Sequence, residues 1–204
     1  NHAESLLAGT AVNEFGEPIL PSDNMADPAK VGIAAGPGVQ EGLVVRFRIP
    51  TVLNLSQLGG EQNGNFVPDD PMPGVPGTFD TDDGIAAEFI SFVELPVGLI
   101  TMGVTSDDGF RMRAGKVGSR SSGLLLAESE VPGNTNLFKF VVRVAGVYGF
   151  RTTYFETFGS AHFEWFMVKA DGSRVLLNDT ANGGYQSYAE GVEPAGRGTL
   201  CNRQ

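Results

Sequence analysis

From about residue 85 onward, apolar and polar residues alternate in short runs that are cut by glycine-containing turns. Strict alternation over a few residues puts one set of side chains on each face of an extended strand. In Leu137–Val144 the residues Phe138, Phe140, Val142 and Val144 share one face, and Lys139 and Arg143 the other. In Val147–Phe155 the shared face is Tyr148, Phe150, Thr152 and Tyr154. The same reasoning predicts strands over Ala86–Leu95, Leu99–Thr105, Phe110–Arg113, Leu124–Ala127, Phe163–Lys169 and Arg174–Leu177. Upstream, Leu43, Val45, Phe47 and Ile49 alternate with Val44, Arg46 and Arg48. Asp171-Gly172 is a dipeptide favoured in tight hairpins. No window sustains a helical period. About nine strands at hairpin spacing predict an all-β domain, a two-sheet antiparallel β-sandwich with jelly-roll-like wiring.

The ends and one internal stretch break this texture. Residues 1–38 read as a long N-terminal arm, with Ser5–Val12 extended and the prolines of Glu17-Pro18, Leu20-Pro21 and Asp27-Pro28 forbidding a continuous element after it. Two readings stand side by side for Ser5–Val12. It is the terminal strand of its own sheet, or it pairs with a neighbouring subunit by strand addition. Residues 54–84 form a polar insert rich in Gly, Asn and Pro, long enough to lie over the sandwich edge or to carry a binding surface. The resulting division is an arm at 1–38, a sandwich at 39–180 and a polar tail at 181–204.

Composition narrows the function classes. The chain has 204 residues, of which 28 are glycines without a fixed period, which fits many turns and excludes collagen. The 14 phenylalanines suit a packed core. With 24 acids against 14 bases and a net charge of -10, the chain repels phosphate backbones, so a nucleic-acid partner is not expected. The lone Cys201 permits no internal disulfide, and one Cys with two His builds no zinc cluster. No apolar run reaches the length of a membrane span.

The chemistry concentrates in two acidic loops. The first is Ser106-Asp107-Asp108-Gly109-Phe110, and the second is Tyr154-Phe155-Glu156-Thr157-Phe158-Gly159-Ser160-Ala161. Neighbouring side chains on a regular strand point to opposite faces, so Asp107 and Asp108 grip one ion only if the backbone kinks, for instance at a cis peptide between them. Calcium takes 6–8 oxygen ligands at flexible angles. Glu156 offers another carboxylate, and loop carbonyls near Phe158 and Ser160 can complete the protein's share. Against this stands the plain alternative that Asp-Asp-Gly is a common turn with solvated acids.

These loops carry a family resemblance. Val104-Thr105-Ser106-Asp107-Asp108-Gly109-Phe110-Arg111 resembles the first calcium loop of the protective-antigen-type lectin domain, a β-sandwich of bacterial toxins, glycosidases, bacterial adhesins and yeast flocculins. Gly146–Glu156 followed by Gly159-Ser160-Ala161-His162-Phe163-Glu164-Trp165 resembles its second loop and flanking strands. The resemblance spans about residues 85–178. It implies that Asp107 and Asp108 form the calcium-binding aspartate pair, joined by a cis peptide. It further implies that Glu156 is the side-chain ligand and that Phe158 and Ser160 supply carbonyls. Flocculin-like members often carry Asn where this chain has Glu156, so the site holds an extra negative charge.

The remaining motifs are weak. Asp80-Thr81-Asp82-Asp83-Gly84 fails the EF-hand pattern, because Ile85 and Ser91 stand where Gly and Glu are required. The pairs Asp69-Asp70 and Asp82-Asp83 are candidates for a second, weaker cation site. His162, beside Phe163 and Trp165, reads as a packing residue. The acids Glu88, Glu94 and Glu164 on strand faces do not make a glycosidase, and no nucleophile elbow or phosphate loop is present, so no enzyme is expected. Asn54 and Asn178 sit in N-glycosylation triplets. The expected function is an extracellular, secreted or cell-surface module binding glycans through Ca2+ by Asp107, Asp108 and Glu156. The alternative is a structural subunit of a filament or surface layer that forms a homopolymer through its N-terminal arm.

Overall fold

The computed structural model describes residues 2–20, 24–31, 38–41, 44–60, 64–115 and 123–189. Leu43, Cys201 and the tail from residue 190 lie outside the described residues.

The predicted sandwich is present. One sheet contains β5 (Ile85–Leu95), β7 (Gly109–Gly115), β8 (Leu124–Ser129), β10 (Gly146–Glu156) and β13 (Ser187–Tyr188), in the order β13-β5-β10-β7-β8. The other contains β3 (Asn54–Ser56), β4 (Asp70–Pro71), β6 (Gly98–Asp107), β9 (Asn134–Val142) and β11 (His162–Val168), in the order β4-β3-β11-β6-β9, with β12 (Arg174–Leu176) against β11. β1 (Val39–Glu41) and β2 (Val44–Arg46) pair only with each other, so the alternating run near residue 45 forms a separate ribbon and not a sandwich strand.

Alternation chooses the core. On β10, Tyr148, Phe150, Thr152 and Tyr154 are all buried, as their spacing predicts. On β9 the buried set is Phe138, Phe140 and Val142, whereas Val144 lies past the strand end and is exposed. Phe150 packs in tilted contacts between Phe140, at 6.2 Å, and Trp165, at 5.2 Å, both of the opposite sheet. Such aromatic contacts add to the burial that holds the two sheets face to face.

Most turns do not close hairpins. The connections after β5, β6, β8, β9 and β10 carry the chain across to the opposite sheet; among the described residues of the sandwich, β7–β8 and β11–β12 are the consecutive strands that pair antiparallel. Turn residues report a reversal and not which ladder the next strand joins.

Both ends differ from expectation. Ser5–Leu7 is not extended but closes the short helix α1 (His2–Leu7), with turn and irregular backbone following. Short apolar runs do not distinguish helix from strand, and Ala3, Glu4, Leu6 and Leu7 are strong helix formers. Docking settles the choice. Ala3 is fully buried, while Glu4 bonds Arg111 at 2.8 Å and Arg151 at 3.1 Å on the outer face of the β5–β10–β7 sheet. Arg111 also reaches Glu128, and Arg151 reaches Glu88. At the other end the sandwich runs past residue 180. β13 pairs with β5, and Asn178 anchors the return, its amide donating to the carbonyls of Pro50 and Thr51 and its Oδ1 accepting from Gln186 and Ser187. Asn54 is also committed, buried and donating to the Pro68 carbonyl.

The core and the outer charge ladder differ in weight. Phe150→Ala should lower the unfolding free energy by about 3–5 kcal/mol, read from the urea midpoint. Glu4→Ala should cost less than about 1 kcal/mol, because its ion pairs are partly solvated. A reversed order in these two variants would contradict a structure held by its aromatic interior.

Candidate cation site

β6 ends at Asp107 in one sheet and β7 begins at Gly109 in the other, so Asp108 occupies the corner where the chain crosses between them. The Asp107–Asp108 peptide is cis. The corner is tightly built. The Tyr154 hydroxyl donates to the Asp107 carbonyl, and the Ser106 hydroxyl to the Asp108 carbonyl at 3.3 Å. A Cβ added at Gly109 would come within 2.5 Å of the Phe155 ring, which leaves glycine the residue that fits there.

Glu156 is the last residue of β10 and continues the inner row begun by Tyr148. Its carboxylate is therefore carried inside the end of the sandwich, at 2% exposure. Neither Oε1 nor Oε2 has a hydrogen-bond partner. The Gly84 N–H lies near enough to ease its charge slightly, but that donor bonds the Thr157 carbonyl at 3.1 Å. Burial, reinforced by the charges of Asp83, Asp108 and Asp107, pushes the Glu156 carboxyl up to about 7. Burial also raises Asp107; His162, opposite it in the β6–β11 ladder, opposes that shift and Asp108 adds to it. The Tyr154 hydroxyl is held far above its ordinary value, by burial first and then by Glu156, Asp107 and Asp108.

The three predicted side-chain ligands lie within electrostatic reach of one another. Asp107 and Asp108 both act on Glu156 and on Tyr154, so both carboxylates bear on the same end of the sandwich. Asp108 Oδ2 also accepts from the Thr157 N–H at 3.0 Å and from its hydroxyl at 2.8 Å, tying the first loop to the second. Phe158 and Ser160 sit on the exposed part of that loop. Among the described residues, no three His, Cys, Asp or Glu side chains stand close enough to form a ready metal cluster, so any ion would have to draw its ligands inward.

Asp83, which the sequence places with Asp82 in a separate candidate pair, stands at this end of the sandwich. It lies against the second loop and belongs to this constellation, its Oδ1 accepting from the Gly159 N–H at 3.0 Å. The antiparallel pairing Glu156↔Ile85 brings the segment just before β5 beside the end of β10. His162 is buried as a packing residue with its Nε2 unpartnered, and Glu164 is enclosed by the N–H groups of Asn65 and Phe66 at 2.7 and 2.8 Å. Glu88 is held by Arg151 and Glu94 by the Tyr188 hydroxyl.

The donor set fits a hard cation. A buried carboxylate with two orphaned oxygens, within reach of the charges of Asp83, Asp108 and Asp107, carries a large desolvation cost that a divalent ion would offset.

No protein-family model matches the chain, and no curated protein matches it by sequence. Among solved structures, it is similar to a PA14 sugar-binding domain from an RTX adhesin, at 15% identity and a TM-score of 0.44, over 64% of this chain and 74% of that one. It is also similar to the A domain of epithelial adhesin 9 from Candida glabrata in complex with Galβ1-3GlcNAc, at 13% identity and a TM-score of 0.44, over 65% of this chain and 67% of that one. A subtype-switched form of that A domain in complex with β-lactose matches at 12% identity and a TM-score of 0.41, over 78% and 66%.

The orphaned carboxylate sets a pH signature. Glu156 moves from its ordinary 4.5 to about 7 on folding, so the native state holds the proton more tightly than the unfolded chain. That contribution is complete below about pH 4.5 and is lost as pH rises through 7. In chelator, wild type should lose on the order of 2 kcal/mol across this window relative to Glu156→Gln. Parallel stability–pH curves for the two proteins would contradict the enclosed, unpartnered state of this side chain.

Proposed function

We propose that the chain is a non-catalytic, calcium-dependent carbohydrate-recognition or adhesion module working outside the cell. One observation carries the calcium half: the Glu156 carboxylate, enclosed and without a partner, lies amid the charges of Asp83, Asp107 and Asp108. Asp107, Asp108 and Glu156 would hold the ion by side chains, and Phe158 and Ser160 by carbonyls. Bound there, calcium would supply open coordination positions to a pair of sugar hydroxyls. The carbohydrate half rests on the likeness of Val104–Arg111 and Gly146–Trp165 to lectin loops. The 78% exposed Phe158 is a further support, because an aromatic face at a loop tip suits the apolar side of a sugar ring. Among the described residues, no helix is long and apolar enough to cross a membrane.

Calcium should stabilise the fold. With free calcium at about 100 times its Kd, the gain is about 2.7 kcal/mol, or roughly 5–10 °C in Tm for a domain of this size. Scanning calorimetry should show this rise in wild type and its disappearance in Asp108→Ala. A Tm indifferent to calcium ends the calcium half. A glycan array should give signals that vanish in chelator; signals that persist end the calcium dependence of recognition, and no signal at all ends the carbohydrate half.

A further inference from the structure

Residues 54–84, expected as one irregular insert, begin with the buried sandwich strand β3 because Asn54–Ser56 pair with β11. The segment has no counterpart in the resemblance, yet it meets the second loop at alternate peptide groups. The Gly84 N–H donates to the Thr157 carbonyl at 3.1 Å, and the Gln57 N–H donates to the Ala161 carbonyl at 2.9 Å. Between them, Asp83 Oδ1 accepts the Gly159 N–H at 3.0 Å. The segment bearing Asp83 is itself anchored, because Gln57 Nε2 donates to the Asp82 carbonyl at 2.6 Å. From the other side, Asp108 takes the Thr157 N–H and hydroxyl. Thr157 and Ala161 thus have their carbonyls engaged, whereas among the described residues no hydrogen bond reaches the carbonyls of Phe158 or Ser160.

Peptide geometry gives this pattern a consequence. In a trans peptide the carbonyl of one residue and the N–H of the next point in opposite directions. Holding the Gly159 N–H against Asp83 therefore fixes the direction of the Phe158 carbonyl, away from Asp83. Gly159 has φ +106°, a backbone conformation that favours glycine, and its N–H is bonded to Asp83 Oδ1.

We propose that Asp83 is a positioning residue of the cation site, through which the insert presets the loop Thr157–Ala161 and leaves the Phe158 and Ser160 carbonyls free for the ion. This rests on the calcium reading above. The carboxylate is solvent-exposed, so its replacement removes the hold on Gly159 without opening the core. The Glu156 oxygens, buried and unpartnered at the root of the same loop, are the independent sign that this end of the sandwich receives a ligand.

The test titrates the full chain with calcium chloride by calorimetry, comparing wild type, Asp83→Ala and Asp83→Asn. Losing the hydrogen bond in Asp83→Ala should weaken calcium binding about tenfold, while Asp83→Asn, whose amide oxygen still accepts from Gly159, should stay within about threefold of wild type. Unchanged affinity in Asp83→Ala overturns the proposal. A loss in Asp83→Asn as large as in Asp83→Ala also overturns it, in favour of direct ligation by the carboxylate. Wild type that binds no calcium overturns the underlying reading, and the positioning role with it; only in that case is the wild-type isotherm itself flat.

Discussion

Period-two alternation along β10 puts Tyr148, Phe150, Thr152 and Tyr154 on the inner face of the sandwich, and the next member of that row is Glu156. The four earlier residues pack or close the interior, so the strand has no freedom to rotate its last acid outward. An ionised carboxylate placed there loses its water and, in this protein, gains no donor in return. Its alternatives are to take up a proton, which the shift to about 7 expresses, or to meet a cation. The properties of the acidic end follow from this one enforced burial.

The neighbouring acids are held by the way the chain changes sheets. Asp107 and Asp108 form the corner between β6 and β7, and Tyr154 from the inner row of β10 fastens that corner through the Asp107 carbonyl. Packing and site geometry are thus joined in one residue: Tyr154 fills the core beside Phe163, at 5.5 Å, while its hydroxyl orients the first loop. The second loop is fastened to the first by Thr157 and to the insert by Asp83 and Gly84. Loops held by a rigid scaffold at the end of a sandwich are where recognition residues commonly collect.

Away from this end, the outer face of the β5–β10–β7–β8 sheet is organised by charge. Glu88 on β5 and Glu128 on β8 flank Arg151 on β10 and Arg111 on β7, and Glu4 of α1 bridges the two arginines. Each pair is partly solvated and contributes little alone. Together they give the short helix a preferred seat that six residues could not secure by propensity.

Legible along the chain were the β-sandwich, the core-facing residues of β10, most of those of β9, and the two acidic loops that bear Asp107, Asp108 and Glu156. Those features are written locally, as alternation of period two and as turns between the runs. The chain alone did not reveal the sheet changes at most turns, the helical form of Ser5–Leu7, the separate β1–β2 ribbon, or β13. The ribbon is a local pairing, but the helix and β13 depend on partners far away: Glu4 on Arg111 and Arg151, and Tyr188 on Phe92. The place of Asp83 at this end was hidden for the same reason. An Asp-Asp-Gly turn looks alike in any loop, and only the antiparallel register of β5 with β10 carries it to the end of the strand that buries Glu156.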